Sequence, residues 1–260
     1  MDIPSILQRL LTHSQRIDIK SMPSQGIFYP KDFEIEIKKA DVEDIINYEY
    51  KFDKENIFTI IDLVKDVVNK NIILNRKYQF EDIKSVDIIY IFLEIVKLTT
   101  NKKIKIPYFN DDIGMPDTIE FNSNNFNYFD FSKYLKYHDI ERGEISINDY
   151  KFSMPSIGVE KCLTEFLLSK ANDNNAKKWN SYSYDFLFFI GNKRHLTFNE
   201  IENLITIFNF DIDNNEKDKI KNTINIFIDM VGYGLKKNNK VIEVKSKIDL
   251  CKAIKQLTVF

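Results

Sequence analysis

The chain has 260 residues, 43% hydrophobic and 13% aromatic, enough to bury one large core or two modest ones. Lysine and arginine number 37 against 39 acids, a near balance that leaves no field able to hold a polyanion, so nucleic acid is not an expected partner. Cys162 and Cys251 lie far apart and outside any CxxC or Cys/His cluster, which argues against a secreted disulfide framework or a metal knuckle and for two reduced, buried thiols in a cytosolic setting.

The opening "MDIPSILQRLLTHSQR" spaces Ile3, Ile6, Leu7, Leu10 and Leu11 for one helical face. It lacks a basic n-region and a continuous apolar core, so it does not read as a signal peptide. No window reaches about 18 uninterrupted apolar residues, and no membrane span is expected. Next comes "SMPSQGIFYP", Ser21 to Pro30, which concentrates turn residues in a chain with only 7 glycines and 6 prolines. "DFEIEIKKA" then alternates Phe33, Ile35 and Ile37 with Glu34, Glu36 and Lys38, the pattern of a half-buried strand. Asp41 is a plausible N-cap for "DVEDIINYEY", and "ENIFTIIDLVKDVVNK" repeats apolar residues at helical spacing. "FEDIKSVDIIYIFLEIVKLTT" is the longest and most apolar helical stretch and predicts a central core helix.

From "KIKIPYF" through "TIEFNSNNFNYFDF" short alternating runs broken by Pro107, Gly114 and Pro116 predict strands and loops. "EISINDYKFSM" reads as a hairpin turning at Asn148 and Asp149. Helices return in "PSIGVEKCLTEFLLSK" and in "SYSYDFLFFIG", the latter ending at Gly191. Thr197 and Glu200 form a capping-box pattern, and a further helix runs toward Gly232 and Gly234. A strand, "KVIEVKS", and a last helix, "SKIDLCKAIKQL", complete the chain. The expected class is α+β, mainly helical: a mixed half with short strands over 1–153 and a largely helical half over 154–260. "MPSQGI" at Met22 and "MPSIGV" at Met154 echo each other, but a strand follows one and a helix the other, so both read as chain entry points rather than a duplication.

No catalytic, cofactor or metal residues emerge from the motifs. Gly232 and Gly234 stand at a helix end, where a phosphate loop needs a helix start. His13, His138 and His195 are isolated in sequence. Asp211, Asp213 and Asn215 begin like a calcium loop, which then fails at Glu216 and Asn222, leaving a solvated connection that caps the next helix. The aromatic runs "FNYFDFSKYLKY" and "YSYDFLFFI" suit either a core or a protein interface.

"MPSQGIFYP" followed by "DFEIEIKKADVEDI" resembles the N-terminal signature of the T4-like bacteriophage baseplate family, a Leu/Met-Pro-Ser-x-Gly-x-x-Tyr-Pro element leading into a strand and an acidic helix. Met22, Pro23, Ser24, Gly26, Tyr29 and Pro30 match it, and the similarity runs from about Lys20 to Phe109. The cysteine pairs that some related phage proteins carry after the apolar helix have no counterpart in "IPYFNDDIG". The resemblance implies a non-enzymatic protein that assists assembly of the baseplate hub, with other hub proteins as partners. It would need no cofactor or small-molecule substrate and would act in the host cytoplasm during phage assembly. Pro23, Gly26, Ile27, Phe28, Tyr29 and Pro30 are the expected protein-binding residues: two prolines stiffen a loop that Gly26 turns, presenting its apolar side chains to a neighbour or to the chain's own core. Two alternatives stay open, a permanent hub or tail subunit in the virion and a glycan hydrolase with two carboxylates about 5 to 9 Å apart in an open cleft.

Overall fold

The alternation after Asp32 produces a short strand, Ile35–Ile37, whose two isoleucines are buried, as is Phe33 just before it. The strand belongs to a computed structural model that describes residues 14–46, 57–101, 103–110, 114–121, 135–147, 150–170, 185–207, 212–230, 233–237 and 240–244. The 1–13 segment, Phe126 to Tyr134, the Asn148-Asp149 turn, Tyr182, Tyr184, Asp211, Gly232 and the last helix with Cys251 lie outside the described residues. Within them the fold is α+β with helices dominant, and no helix there is long and apolar enough to cross a membrane.

β1 (Gln15–Arg16), β2 (Ile35–Ile37) and β3 (Ile72–Leu74) form an antiparallel sheet in that order. A short helical segment over 42–46 leads toward α1 (Ile57–Asn71), which packs beside α2 (Ile88–Thr100). Nine consecutive residues of α2, Ile88 to Val96, are buried; all are apolar or aromatic except Glu94, which pairs with Lys97 at 3.6 Å. Asn101 ends it in the left-handed region at φ 52°, its amide bonding the Lys97 carbonyl. α2 is shorter than its sequence pattern suggests, at 13 residues against 15 in α1. The stretch before it is a 3-10 turn at Phe80–Asp82, a bridge residue at Lys84 and a turn over 85–87, because Lys84 and Asp87 are committed to contacts elsewhere.

β4 (Lys105–Asn110) and β5 (Met115–Glu120) form one hairpin. β6 (His138–Asp139), β7 (Glu144–Ile147) and β8 (Tyr150–Phe152) form a second antiparallel sheet, with Ile145 opposite Phe152 as the hairpin pattern predicts. α3 (Ile157–Lys170) follows. The "DFLFF" stretch is a 3-10 turn, Asp185–Phe189, rather than an α-helix, and Gly191 closes it at φ +70°. Phe186, Leu187 and Phe188 are buried, so this part of the second aromatic run is core. α4 (Phe198–Thr206) carries the complete Thr197–Glu200 capping box. α5 (Asn214–Met230) and the β9 (Tyr233–Lys237) and β10 (Lys240–Val244) hairpin come last. Gly234 pairs with Glu243 within that hairpin.

Two apolar cores result. The first gathers β2, α1, α2, residues as far as Phe121 and Ile157 at the start of α3; the second gathers β7, β8, the rest of the buried face of α3, the 3-10 turn and α4. Ile145 and Phe152, on the first side of the expected boundary at residue 153, thus pack with the second core. The decapeptide contributes to both: Met22 and Tyr29 to the first, Ile27 and Phe28 to the second.

Candidate functional site

The six expected docking residues sit at the seam between the cores. Gly26 takes φ +71°, and the chain around it is closed by tight turns, with the Ile27 amide bonding the Ser24 carbonyl and the Tyr29 amide bonding that of Gly26. Pro23 is buried and Pro30 is half-buried. Phe28 is 0% and Tyr29 3% exposed. Phe28 meets the Phe152 ring edge-on at 5.9 Å, and Tyr29 stacks on Phe33 at 4.2 Å. Of the two destinations open to the loop, a neighbour or the chain's own core, its aromatic side chains take the core. Their surface is already used within the chain, which is where a stiff apolar loop goes when its own cores can cover it.

Below the loop lies a buried polar cluster built on Ile83 to Asp87, a bridge residue followed by a turn. Asp87 stands at the N-cap position of α2, but its carboxylate turns away from the helix to the loop, accepting from the Ser24 amide at 2.8 Å and from the Tyr29 hydroxyl at 2.8 Å. The same hydroxyl accepts from the Lys84 amide at 2.9 Å. On the opposite side, Lys84 forms an antiparallel bridge with Ser156, the Ser85 amide donates to the Pro155 carbonyl at 3.0 Å, and the Ile157 amide donates to the Ile83 carbonyl at 2.8 Å. The two echoing segments, Met22 to Ile27 and Met154 to Val159, therefore both dock on Ile83 to Asp87.

The Lys84 side chain, 2% exposed, donates to Ser153 Oγ at 3.2 Å and to Asn192 Oδ1. The Ser153 hydroxyl has two acceptors in reach, Asn192 Oδ1 at 3.2 Å and the Gly143 carbonyl at 3.4 Å. The Asn192 side-chain amide donates to the Gly143 and Arg142 carbonyls, and the Asn192 backbone amide donates to Glu144 Oε1 at 3.3 Å. Arg194 holds Asp82 through two bonds of 2.9 and 2.5 Å and anchors the same loop from outside. Burial lowers the Lys84 ammonium to about 7, against the opposing pull of Asp87, Asp82 and Glu144. Burial likewise raises Asp87 to about 6, against the hydrogen bonds from Ser24 and Tyr29. Tyr29 is pushed well above the usual phenol range, first by burial and then by Asp87.

A lysine of lowered pKa beside a serine hydroxyl is a pairing that nucleophilic catalysis uses. Here Ser153 is 0% exposed, so no substrate atom has room at its hydroxyl, and the chemistry of the cluster is that of internal hydrogen bonding. The carboxylates beside it, Asp87 and Glu144, are buried as well, which is not the open arrangement a glycan hydrolase requires. Among the described residues no group of three or more metal-ligating side chains converges. Asp213, third position of the incomplete calcium loop, instead accepts from the Glu216 amide at 2.9 Å as the cap of α5. Cys162 is a buried free thiol in the second core, His195 is exposed, and His138 Nε2 lies 2.7 Å from the Ile27 carbonyl oxygen.

Sequence periodicity does not single out Lys84, Asp87, Ser153, Glu144 or Asn192. The one local signal is the pair of charges in "IKSVDII", set against an apolar run. On the surface, Leu135, Tyr137 and Ile140 are exposed around β6, and the Ile140 carbonyl accepts from the Lys31 amide at the end of the loop. Comparison of the chain with protein-family models, with curated proteins and with solved structures returns no match.

Proposed function

We propose that this protein works through contacts with other polypeptides, as a non-enzymatic assembly chaperone of a T4-like phage baseplate hub. The carrying observation is the placement of the signature residues. Met22 fills the first core, the Ser24 amide and Tyr29 hydroxyl hold Asp87, and Gly26 makes the left-handed turn. A motif used this way specifies a scaffold, so a chain that matches it at these positions is expected to share the scaffold, while the hub role rests on the resemblance itself. Since the loop is internal, partner contact falls to exposed apolar side chains, with Leu135, Tyr137 and Ile140 grouped within six residues of chain. Such a surface holds a hub subunit until ring or spike formation displaces it, with moderate polarity keeping release fast.

Co-expression with the hub proteins of a T4-like phage, followed by size-exclusion chromatography, tests the reading. Co-elution with one of them is expected, weakened at least tenfold by combined Leu135→Ser, Tyr137→Ser and Ile140→Ser substitutions that leave the melting temperature unchanged. Absence of any complex, or turnover of a cell-wall glycan, would overturn it. Stoichiometric presence in purified virions would replace the chaperone with a permanent subunit.

A further inference from the structure

The Lys84 side chain closes the seam between the two cores, and its surroundings specify a protonation state. Nζ has two acceptors, Ser153 Oγ and Asn192 Oδ1, in a site that excludes water. A neutral amine has two N–H donors and a lone pair, an ammonium has three donors, and an unpaired charged donor costs more in the interior than an unpaired lone pair. The acceptors match the neutral amine, and a proton added to Nζ leaves one donor unpaired in the interior. Neither neighbour brings Nζ a further acceptor: the Ser153 hydroxyl can swing between Asn192 Oδ1 and the Gly143 carbonyl, but its oxygen already faces Nζ. Asn192 is held at its side-chain amide by the Gly143 and Arg142 carbonyls and at its backbone amide by Glu144, while Ser153 faces the Gly143 carbonyl and its amide donates to Phe188.

We propose that Lys84, held as a neutral amine against Ser153 and Asn192, is a proton-controlled latch: closed, it seals the 190–194 loop over the seam between the cores, and proton uptake by the amine releases that loop. The proposal does not depend on the function proposed above. The charged and titratable groups facing the latch are Asp82 and Asp87 on its own segment, Tyr29 on the decapeptide, and Glu144 on β7, with Arg142 before β7 and Arg194 on the loop, the latter paired to Asp82. The three carboxylates favour the ammonium, and burial outweighs them, consistent with a value of about 7.

The sign comes from linkage. In the open form Lys84 meets water and takes its ordinary pKa of about 10.4, so the open form binds the proton more tightly. The open population should rise close to tenfold for each pH unit of descent between about 10 and 7, and level off below. Two measurements on the full chain test this. The first is a nuclear magnetic resonance titration of the Lys84 Cε and Nζ signals. The second is amide hydrogen exchange at Asn192 and Ser153 from pH 6 to 9, corrected for the intrinsic rate, in the wild type and in Lys84→Met. Titration near pH 7, with protection at both amides falling as pH drops from 9 to 7 and then flat, is the expected result. Lys84→Met, if folded, should lose that slope. Titration in the ordinary lysine range, or protection that does not change with pH in the wild type, would overturn the latch, as would a slope that survives in Lys84→Met.

Discussion

Met-Pro-Ser-x-Gly occurs twice in this chain, and the two copies use the same residues for different physical ends. In the first, Ser24 donates its backbone amide to Asp87, and Gly26 is needed for its left-handed φ of +71°. In the second, the Ser156 hydroxyl donates to the Lys193 carbonyl and accepts from the Val159 amide at the start of α3. Gly158 is needed there for close approach: a Cβ would stand 2.1 Å from the Arg194 carbonyl oxygen and 2.8 Å from Glu81 Cβ. Both copies dock on Ile83 to Asp87, yet a loop leaves one and a helix leaves the other. A recurring short motif therefore marks a place where chain meets chain, and the element that leaves the motif decides which property of each residue is used.

The largest effect should come from the side chain that carries the first copy into the second core. Phe28→Ala removes a fully buried ring packed on Phe152 and is expected to cost about 3–5 kcal/mol by urea denaturation. Hub-protein binding should fall only as far as the folded fraction falls. A stable Phe28→Ala protein with weakened binding would move the loop to the surface and break the comparison.

The two glycines sharpen it. Gly158→Ala meets a carbonyl oxygen and the base of another side chain, neither of which can give way, and should cost about 3 kcal/mol or more. Gly26→Ala meets chiefly the Ile19 side chain, with its nearest atom at 2.9 Å, so its cost is mostly the left-handed backbone, about 1–2 kcal/mol. Equal costs for the two would mean that both glycines serve the same purpose.

Legibility in the sequence tracked the range of the interactions. The β2 alternation, the β7–β8 hairpin and the capping box at Thr197 depend on residues within a few positions of one another, and each is readable from spacing. The stiffness of the decapeptide was readable from Pro23, Gly26 and Pro30. The destination of Phe28 and Tyr29 was not, because a rigid apolar loop has the same composition whether it faces a core or a partner. The seam was least readable. Asn192 is 108 positions from Lys84, and hydrogen-bonded partners that distant leave no periodic trace. The apolar run before Thr100 looked like one helix for a related reason: hydropathy registers the charges of Lys84 and Asp87 but cannot say that both are engaged elsewhere.

The last predicted effect separates the two sides of the docking segment by their response to pH. Asp87 faces the first copy, and its pKa is raised to about 6 from an unfolded value of about 3.9. The folded state therefore binds more protons through this window, and the stability so contributed is fully present below about 3.9 and lost as pH rises through about 6. The loss is on the order of 3 kcal/mol. Urea midpoints of the wild type minus those of Asp87→Asn, taken from pH 4 to 7.5, isolate it from the other carboxylates. The difference should shift against the wild type as pH rises across that range. Lys84, facing the second copy, responds with the opposite slope and at higher pH, because burial lowers its folded value from the ordinary lysine range to about 7. A flat difference for Asp87→Asn would mean that the Ser24 amide and Tyr29 hydroxyl fully offset the burial of the carboxylate, so that the first copy holds a charge in comfort where the second excludes one.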